Sequence, residues 1–184
     1  MEKRFPLKNG TQVLIRPAGK NDAAAFARHL RQAGGETNFL SFGAEDCPYT
    51  EESALALVER SKTDERMIFL LAYVGDVLAG ELFISTAPRK RFQHVGELAI
   101  SVLKDYWDLG IATLLMREAL AIADDVIGFD SIHLDVDADN LTAQKLYRNF
   151  GFHEYARYAR ATLYDGGYHD LVYMSRYRSK EDIQ

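Results

Sequence analysis

The chain has 184 residues, of which 47% are hydrophobic and 27% charged, with a formal net charge of -5. That length suits one domain with a real core, and the composition excludes a disordered chain or a collagen-like repeat. The acidic balance argues against nucleic acid as a partner, since such binding calls for a basic excess. The single cysteine, Cys47, excludes an intrachain disulfide and permits a reducing compartment. No apolar stretch follows the charged N-terminus, and no apolar run of about 18 residues occurs anywhere. Neither a secretory signal nor a membrane-spanning helix is therefore expected, and a cytoplasmic location is the default.

In chain order, Thr11 to Pro17 alternates as a strand, with Val13 and Ile15 apolar. Asn21 or Asp22 caps a helix through Phe26 and Leu30 that is expected to stop at Gly34-Gly35. Glu36 to Tyr49 has no period and reads as a loop. Thr50 caps a second helix, with Leu55, Val58 and neighbouring alanines on its inner face. Met67 to Val74 and Val77 to Thr86 form a hairpin about Gly75-Asp76. The basic run Arg89 to Arg91 follows in a connection. His94 to Leu103 alternates, with Leu98, Ile100 and Val102 on one face and Glu97, Ala99 and Ser101 on the other. A helical period starts at Ile111 and continues through Leu115 and Ala119 to Val126. Ile132, Leu134 and Val136 mark a strand, and Asn140 opens a helix that Gly151 stops. Two strands, Tyr155 to Tyr164 and His169 to Tyr177, close the chain through Asp165-Gly166-Gly167. The order predicts a mixed α/β fold, a mostly antiparallel sheet flanked by helices.

Two segments carry chemistry. Val102 to Thr113 (VLKDYWDLGIAT) runs from a strand through a short loop into a helix. Unpaired amides and the helix dipole make such a helix start an anion site, and small Gly110 and Ala112 let a phosphate approach the main chain. Asn140 to Phe152 (NLTAQKLYRNFGF) opens a second helix after a strand.

Together the two segments resemble the GNAT acetyltransferase superfamily. That family reads Gln/Arg-x-x-Gly-x-Gly/Ala at the first segment, where this chain has Trp107-x-x-Gly110-x-Ala112. It reads Asn-x-x-Ala-x-x-Leu-Tyr followed by Gly-Phe at the second, met here by Asn140, Ala143, Leu146, Tyr147, Gly151 and Phe152. Trp107 replaces the family's Gln/Arg, and Asp108 replaces its usual glycine. The resemblance spans residues 11 to 178 and extends to the last hairpin of bacterial small-amine and amino-acid acetyltransferases. It implies the GNAT fold, one acyl-CoA N-acyltransferase domain over residues 1–184, and acetyl-CoA as acyl-donor cosubstrate. By the same resemblance, the main chain at Val102 and Leu103 pairs with the pantetheine arm. The amides of Asp108, Leu109, Gly110, Ile111, Ala112 and Thr113 hold the pyrophosphate, and Asn140 binds the pantetheine arm or the acceptor side of the site, or acts as a helix cap. Tyr147 donates a proton to the leaving sulfur, which at a reference thiol pKa of about 8.5 benefits from a nearby O–H.

An amine acceptor must lose a proton before it attacks, so a base is required. Glu97 is the candidate, with Glu81 and His133 in reserve. Cys47 lies far from any histidine in sequence, so direct transfer rather than an acyl-enzyme is expected. The five histidines do not cluster with carboxylates at ligand spacing, so no metal is expected. Acceptor choice is assigned to the loop from Glu36 to Tyr49, with Glu36, Glu45 and Asp46 as attractors of a cation, and to the final hairpin. The expected acceptor is a small-molecule amine or amino acid. Acetylation of a protein N-terminus or lysine, or CoA binding without catalysis, is the alternative. No nucleic acid or membrane partner is expected. Tyr155, Tyr158, Tyr164, Tyr168 and Tyr173 form a candidate homodimer surface.

Overall fold

The computed structural model describes residues 2–178; Met1 and residues 179–184, the ends of the expected 1–184 domain, lie outside the described residues. The strands are β1 (Lys3–Pro6), β2 (Gln12–Pro17), β3 (Ile68–Val74), β4 (Val77–Ser85), β5 (Val95–Val102), β6 (Ser131–Asp137), β7 (His153–Tyr164) and β8 (Gly167–Tyr177). The helices are α1 (Ala23–Glu36), α2 (Glu51–Thr63), α3 (Ile111–Ile122) and α4 (Leu141–Asn149). The mixed, mostly antiparallel α/β class expected from the sequence is the class observed. Among the described residues, no helix is long and apolar enough to cross a membrane.

The chain divides into two units. The first holds the residues up to Ile84 together with Ala99–Ile127. Its strands follow the order β1-β2-β3-β4-β5, antiparallel from β1 to β4. Phe26 and Leu30 of α1, Ala54 and Val58 of α2, and Phe69 and Leu71 of β3 share one core. The rings of Phe26 and Phe69 meet edge to face at 4.9 Å. Ile111, Leu115, Met116 and Ala119 give α3 its buried face.

The second unit holds Ser85–Leu98 and the residues from Gly128 on, with strand order β5-β6-β8-β7. Val95, Gly96 and Glu97 pair in parallel with Ser131, Ile132 and His133. β6 then pairs antiparallel with β8, and β8 with β7. Ile132, Leu134, Val136, Tyr147, Phe152, Val172 and Met174 are buried. The hairpin β7–β8 turns at Asp165 and Gly166, both at positive φ, as Asp-Gly favours.

Four expectations need correction. β1 lies ahead of the first strand read from sequence; its residues are mostly exposed, so no apolar alternation announced it. α1 continues through Gly34-Gly35 to Glu36. A Cβ on Gly34 would stand 3.0 Å from the main chain of Phe42 and Gly43, so this glycine serves close packing of the following loop rather than helix termination. Leu55 is 36% exposed, leaving Ala54 and Val58 as the inner face of α2. The stripe on α3 does not reach Val126, because a π-type turn at Ala123–Ile127 shifts the period and leaves that side chain 76% exposed.

Candidate active site

The segment expected to hold the donor lies at the end of β5. Leu103 N donates to Ala79 O at 2.9 Å, tying the strand to β4. Its amide is therefore committed, and of the expected pair it is Val102 whose main chain points to the opposite strand edge. Val102 O accepts from the Trp107 indole Nε1 at 2.7 Å. Trp107 thus folds the loop back on the strand end, a task that the family's Gln/Arg position does not suggest. Asp108 has φ 59 and an exposed side chain. Gly110 has φ 97 and precedes α3 as its N-cap, without a side chain capping the helix. The first intrahelical bond is Leu114 N to Gly110 O, so the amides of Ile111, Ala112 and Thr113 have no partner within the helix. A Cβ built on Gly110 meets nothing within 4 Å. An uncapped helix start with open space at its cap fits an anion of the pyrophosphate type.

Asn140 and Tyr147 belong to the second unit. Asn140 Oδ1 accepts from Ala143 N at 3.0 Å, so its capping role is real. Tyr147 is 7% exposed, its ring 6.1 Å from that of Phe152. Its carbonyl receives the amides of Phe150 and Phe152, which closes α4 ahead of Gly151. Buried Gln144, not singled out from the sequence, donates to Asp137 O and Ala138 O and accepts from Arg148. Glu97 is exposed on β5 and stands in register with His133 of β6, which is half-buried.

The loop after α1 is partly spoken for. Glu36 accepts from Lys104 N and from Gln32 Nε2, each at 2.7 Å. Asp46 Oδ1 accepts from Gly43 N at 2.6 Å. Phe42, Cys47 and Tyr49 pack on the core of the first unit, whereas Phe39 is 40% exposed.

Two clusters escaped the sequence reading. In the first unit, His29, Ser101 and Glu81 form a buried chain. His29 Nδ1 lies 2.9 Å from Leu78 O, His29 Nε2 lies 2.8 Å from Ser101 Oγ, and Ser101 Oγ lies 2.9 Å from Glu81 Oε1. Burial pushes the Glu81 carboxyl up to about 8, against the opposing hydrogen bonds from Ser101, and pushes His29 down. In the second unit, ligand atoms of Asp137, Asp139 and His169 lie within 4.8 Å of one another, which corrects the expectation that no histidine clusters with carboxylates. His169 Nδ1 is 2.8 Å from Asp139 Oδ2, Tyr164 donates to Asp137 Oδ2 at 3.1 Å, and the Tyr164 and His169 rings stack at 3.6 Å. The protein's own groups thus engage this cluster.

Comparison with known proteins bears on this geometry. The model of the acetyltransferase (GNAT) family matches residues 35–152. The L-amino acid N-acetyltransferase AaaT of Escherichia coli is 34% identical over 107 residues, 58% of this chain and 66% of that protein, so the match spans just under two thirds of the relative's length. A GNAT-family acetyltransferase from Streptococcus pneumoniae superposes with a TM-score of 0.85 at 30% identity, covering 91% of this chain and 99% of its own. YncA of Salmonella typhimurium, solved with its cofactor acetyl-CoA, shares the fold with a TM-score of 0.76 at 19% identity, over 91% of this chain and 95% of its own. With the family model covering more than half of the residues and the helix-start cradle in place, the chain belongs to the GNAT family of acetyltransferases.

Proposed function

We propose that the chain, as one domain over residues 1–184, is an acetyl-CoA-dependent N-acetyltransferase that moves an acetyl group directly to the primary amine of a small molecule or amino acid, in the cytoplasm. The observation that carries this reading is the uncapped start of α3, with open space at Gly110, directly after the strand end at Val102. The amino-acid activity in AaaT's name supports the acceptor class, and the acetyl-CoA bound to YncA supports the donor.

In this mechanism the amides of Asp108 to Thr113 hold the pyrophosphate and the dipole of α3 favours its charge. The main chain at Val102 and Leu103 lines the pantetheine arm, with Leu103 fixed to β4 and Val102 offering the open edge. Asn140 keeps α4 capped and directs its amide group to the pantetheine arm. An alkylammonium acceptor sheds two protons in all, one to become a nucleophile and one after its nitrogen has attacked the acyl carbon. Exposed Glu97 takes the first and passes it to water, and the second leaves the attacked nitrogen through solvent to restore the Tyr147 phenol. Tyr147 donates to the departing sulfur, so one proton finishes on the thiol and one in solvent. The more than half-exposed Tyr155, Tyr158 and Tyr168 of β7 and β8 supply a homodimer contact in this reading.

Calorimetric titration with acetyl-CoA, followed by thiol release with a panel of amino acids and amines, tests the proposal. Tyr147→Phe is expected to keep acetyl-CoA binding while turnover falls about 10²-fold. Turnover with peptides alone, and none with small amines, would shift the acceptor to a protein N-terminus or lysine.

A further inference from the structure

The two faces of the sheet in the second unit differ. On one face Leu134 and Val136 of β6 pair with Met174 and Val172 of β8, and all four are buried. The pleat turns the intervening side chains the other way. There Asp135 stands opposite Tyr173 and His133 opposite Ser175, while Glu97 of β5 stands beside His133. Glu97 and Asp135 are exposed, and His133 and Tyr173 are half-buried. The Tyr155 ring of β7 lies 6.2 Å from that of Tyr173, so an aromatic wall borders Asp135. All of these residues belong to the one unit.

This second face carries carboxylates and rings but no lysine or arginine. β5 and β6 contain neither residue type. Arg176 of β8 pairs with Ile132 and so takes the buried side. Arg157 of β7 stands opposite Val172 and is engaged by Glu154 and Asp170. Arg160 lies over the Tyr168 ring at 4.0 Å. The histidines of the face are His133, His153 and, at its far end, His169, which Asp139 already engages. Neither Glu97 nor Asp135 has an ion pair or hydrogen bond among the described residues. Between them and β7, Ser175 is 4% exposed and its Oγ has no hydrogen-bond partner. An apolar partner would leave all three groups unmet, whereas a cation with N–H donors suits the carboxylates. Strand spacing and rise put the main chains of Glu97 and Asp135 about 8 Å apart. Two ammonium groups on one short alkyl chain can therefore each meet a carboxylate, the second with a tyrosine ring beside it.

We propose that this face binds the acceptor and that the acceptor is a short alkyl diamine. Its reacting ammonium sits at Glu97 and its second ammonium at Asp135, beside the Tyr173 ring. The inference rests on the acyl-transfer reading for the fate of the bound amine, and it narrows the acceptor from amines in general to dications. A monoamine fills only the first position. An α-amino acid brings a carboxylate that Glu97 and Asp135 repel and that no lysine or arginine of the face receives. Tyr155 belongs also to the proposed homodimer contact, so the test leaves it in place.

NMR titration of the full chain with diaminobutane, butylamine and leucine tests the face without any turnover. Wild type should bind diaminobutane about fivefold more tightly than butylamine, the worth of one exposed ion pair, and leucine more weakly than either. Added salt should shrink the preference. Asp135→Asn keeps the shape and removes the charge, so it should bind the two amines equally. Tyr173→Leu should weaken diaminobutane about threefold. An Asp135→Asn protein that keeps the wild-type preference would overturn the proposal. So would a wild type that binds leucine or butylamine as tightly as diaminobutane. Thiol release from acetyl-CoA is measured separately, and there Asp135→Asn should raise KM for diaminobutane but not for butylamine. Selective diamine binding without turnover of any amine would instead overturn the acyl-transfer reading and leave the cation-binding face standing.

Discussion

Among the described residues, two histidine–carboxylate arrangements shift their imidazoles in opposite directions. Around β4 and β5, His29 and Glu81 are buried and linked through Ser101; burial lowers the imidazole and raises the carboxyl, so both favour the neutral form. At the end of β6, Asp139 is exposed and bonds His169 directly, and that bond raises the imidazole. The same residue types thus give a buried chain that favours neutral groups in one place and a direct bond that favours the imidazolium in the other. Access to water decides between them, because desolvation penalises charge while direct contact rewards it.

The sharpest way to break this contrast is Glu81→Gln. Burial pushes the folded carboxyl up to about 8, above the ordinary 4.5, so native protein holds a proton that unfolded protein has lost. Its stabilising contribution is complete below the unfolded value and fades as pH rises through the folded one. Relative to the Gln variant, which shares the His29 contribution, wild-type stability should therefore fall between these limits at roughly 1.4 kcal/mol per pH unit. The Gln variant should lose that slope and be the more stable protein near pH 8. Denaturant unfolding at a series of pH values measures both, and equal slopes would mean that Glu81 ionises normally. A smaller effect is expected from Ser101→Ala, which strips a partner from two buried groups and should cost about 1–3 kcal/mol at pH 6. A loss confined to a few tenths would show that His29 and Glu81 had found each other directly. The smallest effect falls on the exposed pair. Asp139→Asn should move the His169 titration to lower pH by NMR while leaving the melting temperature nearly unchanged. A His169 titration that stays in place would show that Asp139 is not its main partner.

Much of the frame was legible because it follows from periods of two and 3.6. Leu98 and the alternation around it marked β5; Ile132, Leu134 and Val136 marked β6; Gly151 marked the stop of α4; and Asp165-Gly166 marked the last turn. β1 was illegible because it buries almost nothing. The run of α1 through Gly34 was illegible because its cause is the main chain of Phe42 and Gly43, which no local pattern encodes. In the site, Gly110 and Asn140 fall in motifs and could be read directly. Glu81 was read only as a reserve candidate for the base, without its buried partners, and His29 was not singled out. Their partners lie 20 and 72 residues away in the chain, a proximity that only the folded sheet creates.

Trp107 is the only tryptophan in the chain, and its indole is anchored to Val102 O in the loop that leads into α3. Intrinsic emission is therefore a local instrument rather than an average over the molecule. A molecule settling on the α3 amides would change the surroundings of that one fluorophore, an optical gauge of the proposed donor site that needs no label, no coupled assay and no knowledge of the acceptor.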